Sequence, residues 1–217
     1  MIDGIEVAVD REGVVVTARE PLTVLSSAFV RGGFTAARAI VNLHVRKNIQ
    51  EEETDGLLAR FADRRGIHRP WVGLLTSAWT EKAVVAEAAG SGLTALAVVT
   101  VGLSNRIAAG ETPIAVWAPS TINTIVVVDG APEAAALVNA VMTVTEVKTA
   151  LLASVDLRCD DGRVATGTST DAVVVAATGR GPQRRFGGPI SELGWVVARA
   201  AREALGTGIR RWIAEHP

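Results

Sequence analysis

The sequence predicts an α+β domain, a mixed or antiparallel β-sheet built from hairpins and packed against a few long helices. Three observations carry that reading. Short apolar, β-branched runs recur along the chain: GVVV (13–16), LTALAVVTV (93–101), INTIVVV (122–128) and DAVVVA (171–176), each bounded by Gly, Asn, Asp or Ser. Helical periodicity is confined to three stretches, 54–65, 131–155 and the residues after Ser191. The 217 residues contain no internal repeat, linker or low-complexity tract, so residues 1–217 read as a single domain.

Taken in order, IEVAVD (5–10) and GVVVTAR (13–19) flank a DREG connection and read as an opening hairpin. Pro21 is expected to break that run, which makes VLSSAFV (24–30) a separate strand ending at Arg31-Gly32-Gly33. Residues 35–46 stay open between strand and helix, because Ala37–Ala39 and Ile40–Val45 pull in opposite directions. Thr54 to Arg65 reads as a helix with Leu57, Leu58 and Phe61 on one face and Gly66 at its C-terminal cap. WVGLLT (71–76) reads as a strand; AVVAEA (83–88) and LTALAVVTV form a hairpin around a glycine turn. INTIVVV is a core strand ended by Asp129-Gly130, and Pro132 opens the longest helix, 131–155. A Thr/Ser-rich loop then leads into the strand Ala172 to Ala177. Ser191 precedes a last helix, which Gly206 and Gly208 are expected to break.

Composition removes several function classes. Hydrophobic residues make up 48% of the chain and charged residues 21%, with a net charge of −1, so neither a nucleic-acid surface nor an anionic-membrane surface is expected. The N-terminus has no basic segment followed by an apolar one, and LTALAVVTVGL (93–103) is too short to span a bilayer. The expectation is a cytoplasmic protein. The single cysteine, Cys159, forbids an internal disulfide and reads as a half-buried strand residue. His44, His68 and His216 lack metal-ligand spacing, so no metal and no bound cofactor are expected.

The polar residues collect in four places, each beside an apolar strand: Ser26-Ser27 with Arg31-Gly32-Gly33; Ser104-Asn105; Ser120-Thr121-Ile122-Asn123; and Thr166-Gly167-Thr168-Ser169-Thr170-Asp171. Strand ends hold ligand contacts at fixed geometry. Any one cluster also reads as ordinary turn chemistry. In the longest helix, Leu137, Val141, Val144, Leu151, Leu152 and Val155 form an apolar stripe with Lys148 in its middle, while Glu146 falls nearly opposite beside Asn139 and Thr143. Lys148 either carries its ammonium to an edge or meets a buried carboxylate, Asp171 or Asp129. If the clusters make a site, Lys148, Asn105, Asn123 and Asp171 share one pocket; if they are turns, the four are dispersed. No G-x-S-x-G elbow, His-Glu-x-x-His helix or Walker-type loop is present.

Read together and in order, VLSSAFVRGGF (24–34), LLTSA (74–78), VTVGLSNRIAAGE (99–111), STINTIVVVDG (120–130), MTVTEVKTALL (142–152) and ATGTSTDAVVVA (165–176) resemble the adenosylcobinamide amidohydrolase family. The resemblance runs from about residue 20 to the end; G-L-S-N, T-I-N-x-I-V, T-E-x-K-T-A and A-T-G-T-x-T-D are its most specific parts. It implies hydrolysis of the amide joining an aminopropanol arm to a corrin ring, giving adenosylcobyric acid for cobamide salvage. The cobalt then belongs to the small-molecule corrinoid substrate, and a homo-oligomer stays open.

That chemistry needs a nucleophile or activated water, oxyanion donors and an acid for the leaving amine. The resemblance therefore assigns Asp171, Lys148, Thr168 and Thr170 to catalysis. It assigns Ser104, Asn105, Thr121, Asn123, Glu146, Thr166, Gly167 and Ser169 to substrate contacts. Asp171 as base, or a hydroxyl at 168–170 activated by Lys148, are both open. Trp71, Trp79, Trp117 and Trp195 are core residues or platforms for the ring. Ser169 stands where relatives often have glycine. In FGGPISELGW (186–195), Ile190 and Glu192 stand where many carry His and Lys. That departure motivates the alternative of a non-catalytic corrinoid carrier.

Overall fold

The β-branched runs become one sheet and two short ribbons in the computed structural model, which describes residues 1–47, 49, 51–114 and 121–216. The strands are β1 (Ile5–Val9), β2 (Gly13–Ser26), β3 (Gly33–His44), β4 (Trp71–Thr76), β5 (Val84–Gly90), β6 (Leu93–Val101), β7 (Arg106–Ile107), β8 (Ile122–Asp129), β9 (Ala131–Pro132), β10 (Gly167–Thr168), β11 (Ala172–Ala177) and β12 (Gln183–Arg184). The helices are α1 (Glu51–Arg64), α2 (Ala134–Ser154) and α3 (Glu192–Glu215). The main sheet runs β4-β3-β2-β11-β8-β6-β5, with β1 beside β2 as an eighth strand. β4 is parallel to β3 and β11 to β8; the other pairs in this sheet are antiparallel.

Side-chain alternation along the strands sorts the apolar residues into three cores. Val16, Val24, Ile40 and Leu74 meet Leu96, Val98, Ile125 and Val174 between the two halves of the sheet. The outer face of β6, β8 and β11, through Val99, Val126, Val128 and Val175, is covered by α2 and α3. The outer face of β2 to β4, through Val15, Val41 and Trp71, is covered by Leu58, Phe61 and Ala62 of α1. The result is four layers, helices on both outsides and a folded-over sheet within, an α+β domain.

Several local expectations are corrected. Pro132 does not open the longest helix: it lies in β9, α2 begins at Ala134, and its 21 residues are fewer than the 24 of α3. Pro21 does not break the first run: β2 continues through it to Ser26, because the β2–β3 register shifts between Thr17 and Leu22 and the imide lies inside that bulge. The separate strand expected at 24–30 is therefore the end of β2. Gly206 and Gly208 do not break the last helix. Gly208 instead lets α3 approach β6, where an added Cβ would lie 2.7 Å from Val101 Cγ2. Of residues 35–46, open in sequence, those up to His44 are strand, because β2 pairs along one edge and β4 pairs with Ala39–His44 along the other. Other signals act as expected: Gly66 closes α1 at φ +64°, and the Ser191 side chain caps α3 by accepting from Gly194 N.

Candidate active site

The loop before β11 closes on its own carboxylate. Asp171 Oδ1 accepts from the Thr168 hydroxyl at 2.5 Å and from Ile122 N at 3.0 Å; Oδ2 accepts from Thr168 N at 3.1 Å. The same Oδ2 lies 2.5 Å from Lys148 Nζ. A Thr-Ser-Thr-Asp segment forms this turn readily, since a short acid can accept from the backbone three residues earlier. Here the turn also joins α2 to the sheet. Lys148 stands on the buried face of α2 between Val144 and Leu152, one turn either side, and its ammonium points inward to Asp171. Both charged side chains are only 11% exposed, and a buried ion pair persists only with its remaining hydrogen bonds satisfied. Gly167 is what admits it: an added Cβ would run into Asp171 Oδ2 and lie 2.7 Å from Lys148 Nζ.

A second layer of buried polar groups lies beside this pair. Thr121 Oγ1 lies 2.6 Å from the Thr170 carbonyl and 3.1 Å from Asn123 Oδ1. The Asn123 amide donates to Asn42 Oδ1 at 2.8 Å and to the Leu75 carbonyl at 2.9 Å, and Asn42 donates to Thr100 Oγ1 at 3.0 Å. Asn42, Thr100, Thr121 and Asn123 are all buried, so this network spans the two half-sheets at the end where β8 and β11 begin. Both N–H groups of Asn123 are thereby committed, and what it offers a ligand is acceptor capacity at Oδ1 rather than an oxyanion donor.

At this end the halves part to leave a cleft of about 280 Å³. It is lined by the polar residues Ser27, Asn123, Ser169, Thr170 and Asp171 and by Phe29, Leu74 and Leu75. Asn105 reaches the same loop, its Nδ2 donating to Ser169 Oγ at 2.6 Å. Thr166 sits one strand behind, its hydroxyl accepting from Ala109 N at 2.9 Å and its carbonyl from Thr149 Oγ1 at 3.3 Å.

Not every candidate arrives here. Glu146 is exposed on the solvent side of α2, although its expected neighbour Thr143 is buried. Ser104 accepts from Lys47 Nζ at 3.1 Å and borders a separate depression with Trp79 and Trp212. Asp129, the other carboxylate considered for Lys148, instead binds Arg180 and Thr178 at the far end of β8. Trp71 is buried under α1, Trp79 stacks on His44, and Trp195 packs beside Gly90. Cys159 is buried in a turn rather than in a strand. Ser120 and Trp117 lie outside the described residues. Among the described residues, no three His, Cys, Asp or Glu side chains gather to hold a metal ion. Asn42 and Phe29 escaped the sequence reading. For Asn42 a signal existed, a lone amide inside the apolar run IVNLHV (40–45), which demands partners when buried.

The family model for adenosylcobinamide amidohydrolase matches residues 1–217, the whole chain. The chain belongs to that family. A search of curated proteins gives no match. Among solved structures, a beta-aminopeptidase from Burkholderia sp. aligns with TM-score 0.48 and 12% identity, covering 93% of this chain and 79% of that one. A protein from Pyrococcus horikoshii aligns at TM-score 0.48 and 12% identity over 97% and 80% of the two chains. An L-aminopeptidase D-Ala-esterase/amidase from Ochrobactrum anthropi aligns at TM-score 0.42 and 11% identity over 95% and 83%.

As an adenosylcobinamide amidohydrolase family member, the chain belongs to the amide-bond hydrolases of corrinoid salvage. The segment 186–195 contributes no residue to the cleft. Ile190 is fully exposed, and Glu192 pairs with Arg184, whose Nη2 reaches the Ser91 carbonyl in the β5–β6 turn. That turn adjoins the Asp129 end of β8, whereas the cleft is at the Ile122 end, roughly 23 Å away along an extended strand.

Proposed function

We propose that this protein hydrolyses the aminopropanol amide of adenosylcobinamide, or of a related corrinoid, to give adenosylcobyric acid and aminopropanol. The single observation that carries this reading is the Lys148–Asp171–Thr168 chain of contacts at the edge of the cleft. A hydroxyl hydrogen-bonded to a base, with the base oriented by a third group, is the arrangement hydroxyl nucleophiles require. In this reading Asp171 Oδ1 takes the Thr168 proton as Oγ1 attacks the amide carbon. The Lys148 ammonium stabilises the negative charge that develops beside it. The proton passes from Asp171 to the amine nitrogen as the C–N bond breaks, and water then hydrolyses the ester to free the acid and restore Thr168. Lys148 is an ion-pair partner rather than the activating base, which distinguishes this scheme from one in which lysine activates a hydroxyl.

A second route is favoured by one observation: Asp171 borders the cleft whereas Thr168 is buried behind it. A water in the cleft then replaces Thr168 Oγ1 as the attacking oxygen, with Asp171 again taking its proton. Thr168→Val separates the routes. Attack by Thr168 predicts a loss of turnover of about 10³-fold, with Thr168→Ser largely active, and a transient acyl-enzyme visible by mass spectrometry. Attack by water predicts that Thr168→Val keeps most turnover while Asp171→Asn abolishes it. The altered 186–195 segment, which suggested a carrier, removes no group from the cleft.

A further inference from the structure

We infer that Phe29 is a specificity-determining residue, an aromatic wall that selects amides whose acyl part is a large ring with an apolar edge; this rests on the reading proposed above. A single exposed apolar side chain is ordinary on a protein surface. Phe29 is different because everything around it is anchored while its ring is left 44% exposed at the cleft.

The β2–β3 turn that carries it is pinned from three sides. Ser27 N donates to the Val173 carbonyl and Ser27 Oγ accepts from Val173 N, both at 3.0 Å, which ties the turn to β11. Val30 and Gly73 exchange two backbone hydrogen bonds of 3.0 Å, which ties it to the outer edge of β4. Between these ties Ala28 is buried in the core between the half-sheets. The turn then closes sharply: Arg31 is left-handed at φ +56°, and Gly32 has no room for a Cβ against the Ala28 carbonyl. The backbone that carries the ring is therefore fixed before any ligand arrives, so little backbone freedom is lost when a ligand packs on it.

Ser169, Thr170 and Asp171 line the same cleft. A cleft lined by both an exposed aromatic ring and hydrogen-bonding side chains fits a ligand that presents an apolar ring edge together with an amide arm. A short linear amide has no ring edge to pack on the phenyl group. Phe29 therefore acts on ring binding and leaves the chemistry of the bound amide to the Asp171 side.

The test compares unmodified protein, Phe29→Ala and Phe29→Trp on adenosylcobinamide and on N-(2-hydroxypropyl)propanamide, a ring-free amide. Corrinoid binding is measured separately by equilibrium dialysis. The expected result for Phe29→Ala is a KM and a dissociation constant for the corrinoid raised roughly tenfold, kcat within about twofold, and unchanged rates on the small amide; Phe29→Trp restores corrinoid affinity. Equal corrinoid affinity in Phe29→Ala and unmodified protein would overturn the inference, as would a fall in kcat at constant KM. If the unmodified protein binds adenosylcobinamide without cleaving it, the hydrolase reading fails, and the dialysis comparison alone decides the role of Phe29. If it does not bind corrinoid at all, both readings are overturned.

Discussion

Asp171 accepts four hydrogen bonds, and the space they occupy leaves no room for a side chain at position 167. Gly167→Ala should therefore push the carboxylate and ammonium apart. Separating a buried pair costs about 3–5 kcal/mol, so melting should fall by several degrees and turnover should disappear. Gly188→Ala is the matched control, because an added Cβ there meets nothing within 4 Å; calorimetry and activity should leave it unchanged. Much of this site was legible in the chain. An ammonium placed mid-stripe on α2 either reaches an edge or meets a carboxylate, and the T-G-T-x-T-D loop contains one. What could not be read was which acid it meets, since Asp129 and Asp171 lie at opposite ends of adjacent parallel strands. Nor could Asn42 be placed, because its partners come from strands 58 and 81 residues away.

Among the elements, α3 carries two glycines with opposite consequences. An alanine Cβ at 206 meets the flexible tip of Arg210 at 3.2 Å and Leu151 Cδ2 at an ordinary contact distance of 3.8 Å, so Gly206→Ala should raise stability by about 0.5–1 kcal/mol through helix propensity. At 208 the Cβ would press on Val101, and Gly208→Ala should destabilise by about 1–3 kcal/mol despite the same propensity gain. Thermal melts of the two variants should move in opposite directions. Propensity alone marked both glycines as breaks because it carries no information about what the helix lies against. Pro21 misled for a related reason. A proline in a strand pattern announces an interruption of the ladder, but a bulge supplies the interruption without ending the strand.

At the scale of the molecule, the folded-over sheet separates two ends with different duties. The ends where β8 and β11 start hold the cleft, while the β5–β6 turn and the start of α3 close the opposite end. Ile190 and Glu192, expected from the resemblance to be His and Lys, belong to the closing end. The double variant Ile190→His with Glu192→Lys should therefore leave kcat/KM for the corrinoid within about twofold of the unmodified protein, a change of under 0.5 kcal/mol. Steady-state kinetics checks this, and a gain of tenfold or more would place part of the active site at that end. The α+β class was readable from β-branched runs and sparse helices. The doubling of the sheet was not, because it depends on β2 serving both halves, and long-range pairing leaves no local signature. The most direct measurement is to incubate the purified protein, alongside its Asp171→Asn variant, with adenosylcobinamide and to separate the products by chromatography. Equimolar adenosylcobyric acid and aminopropanol are expected from the unmodified protein and neither from Asp171→Asn, which still binds the corrinoid. Equal product release by both proteins, or none by either, would contradict the proposed function.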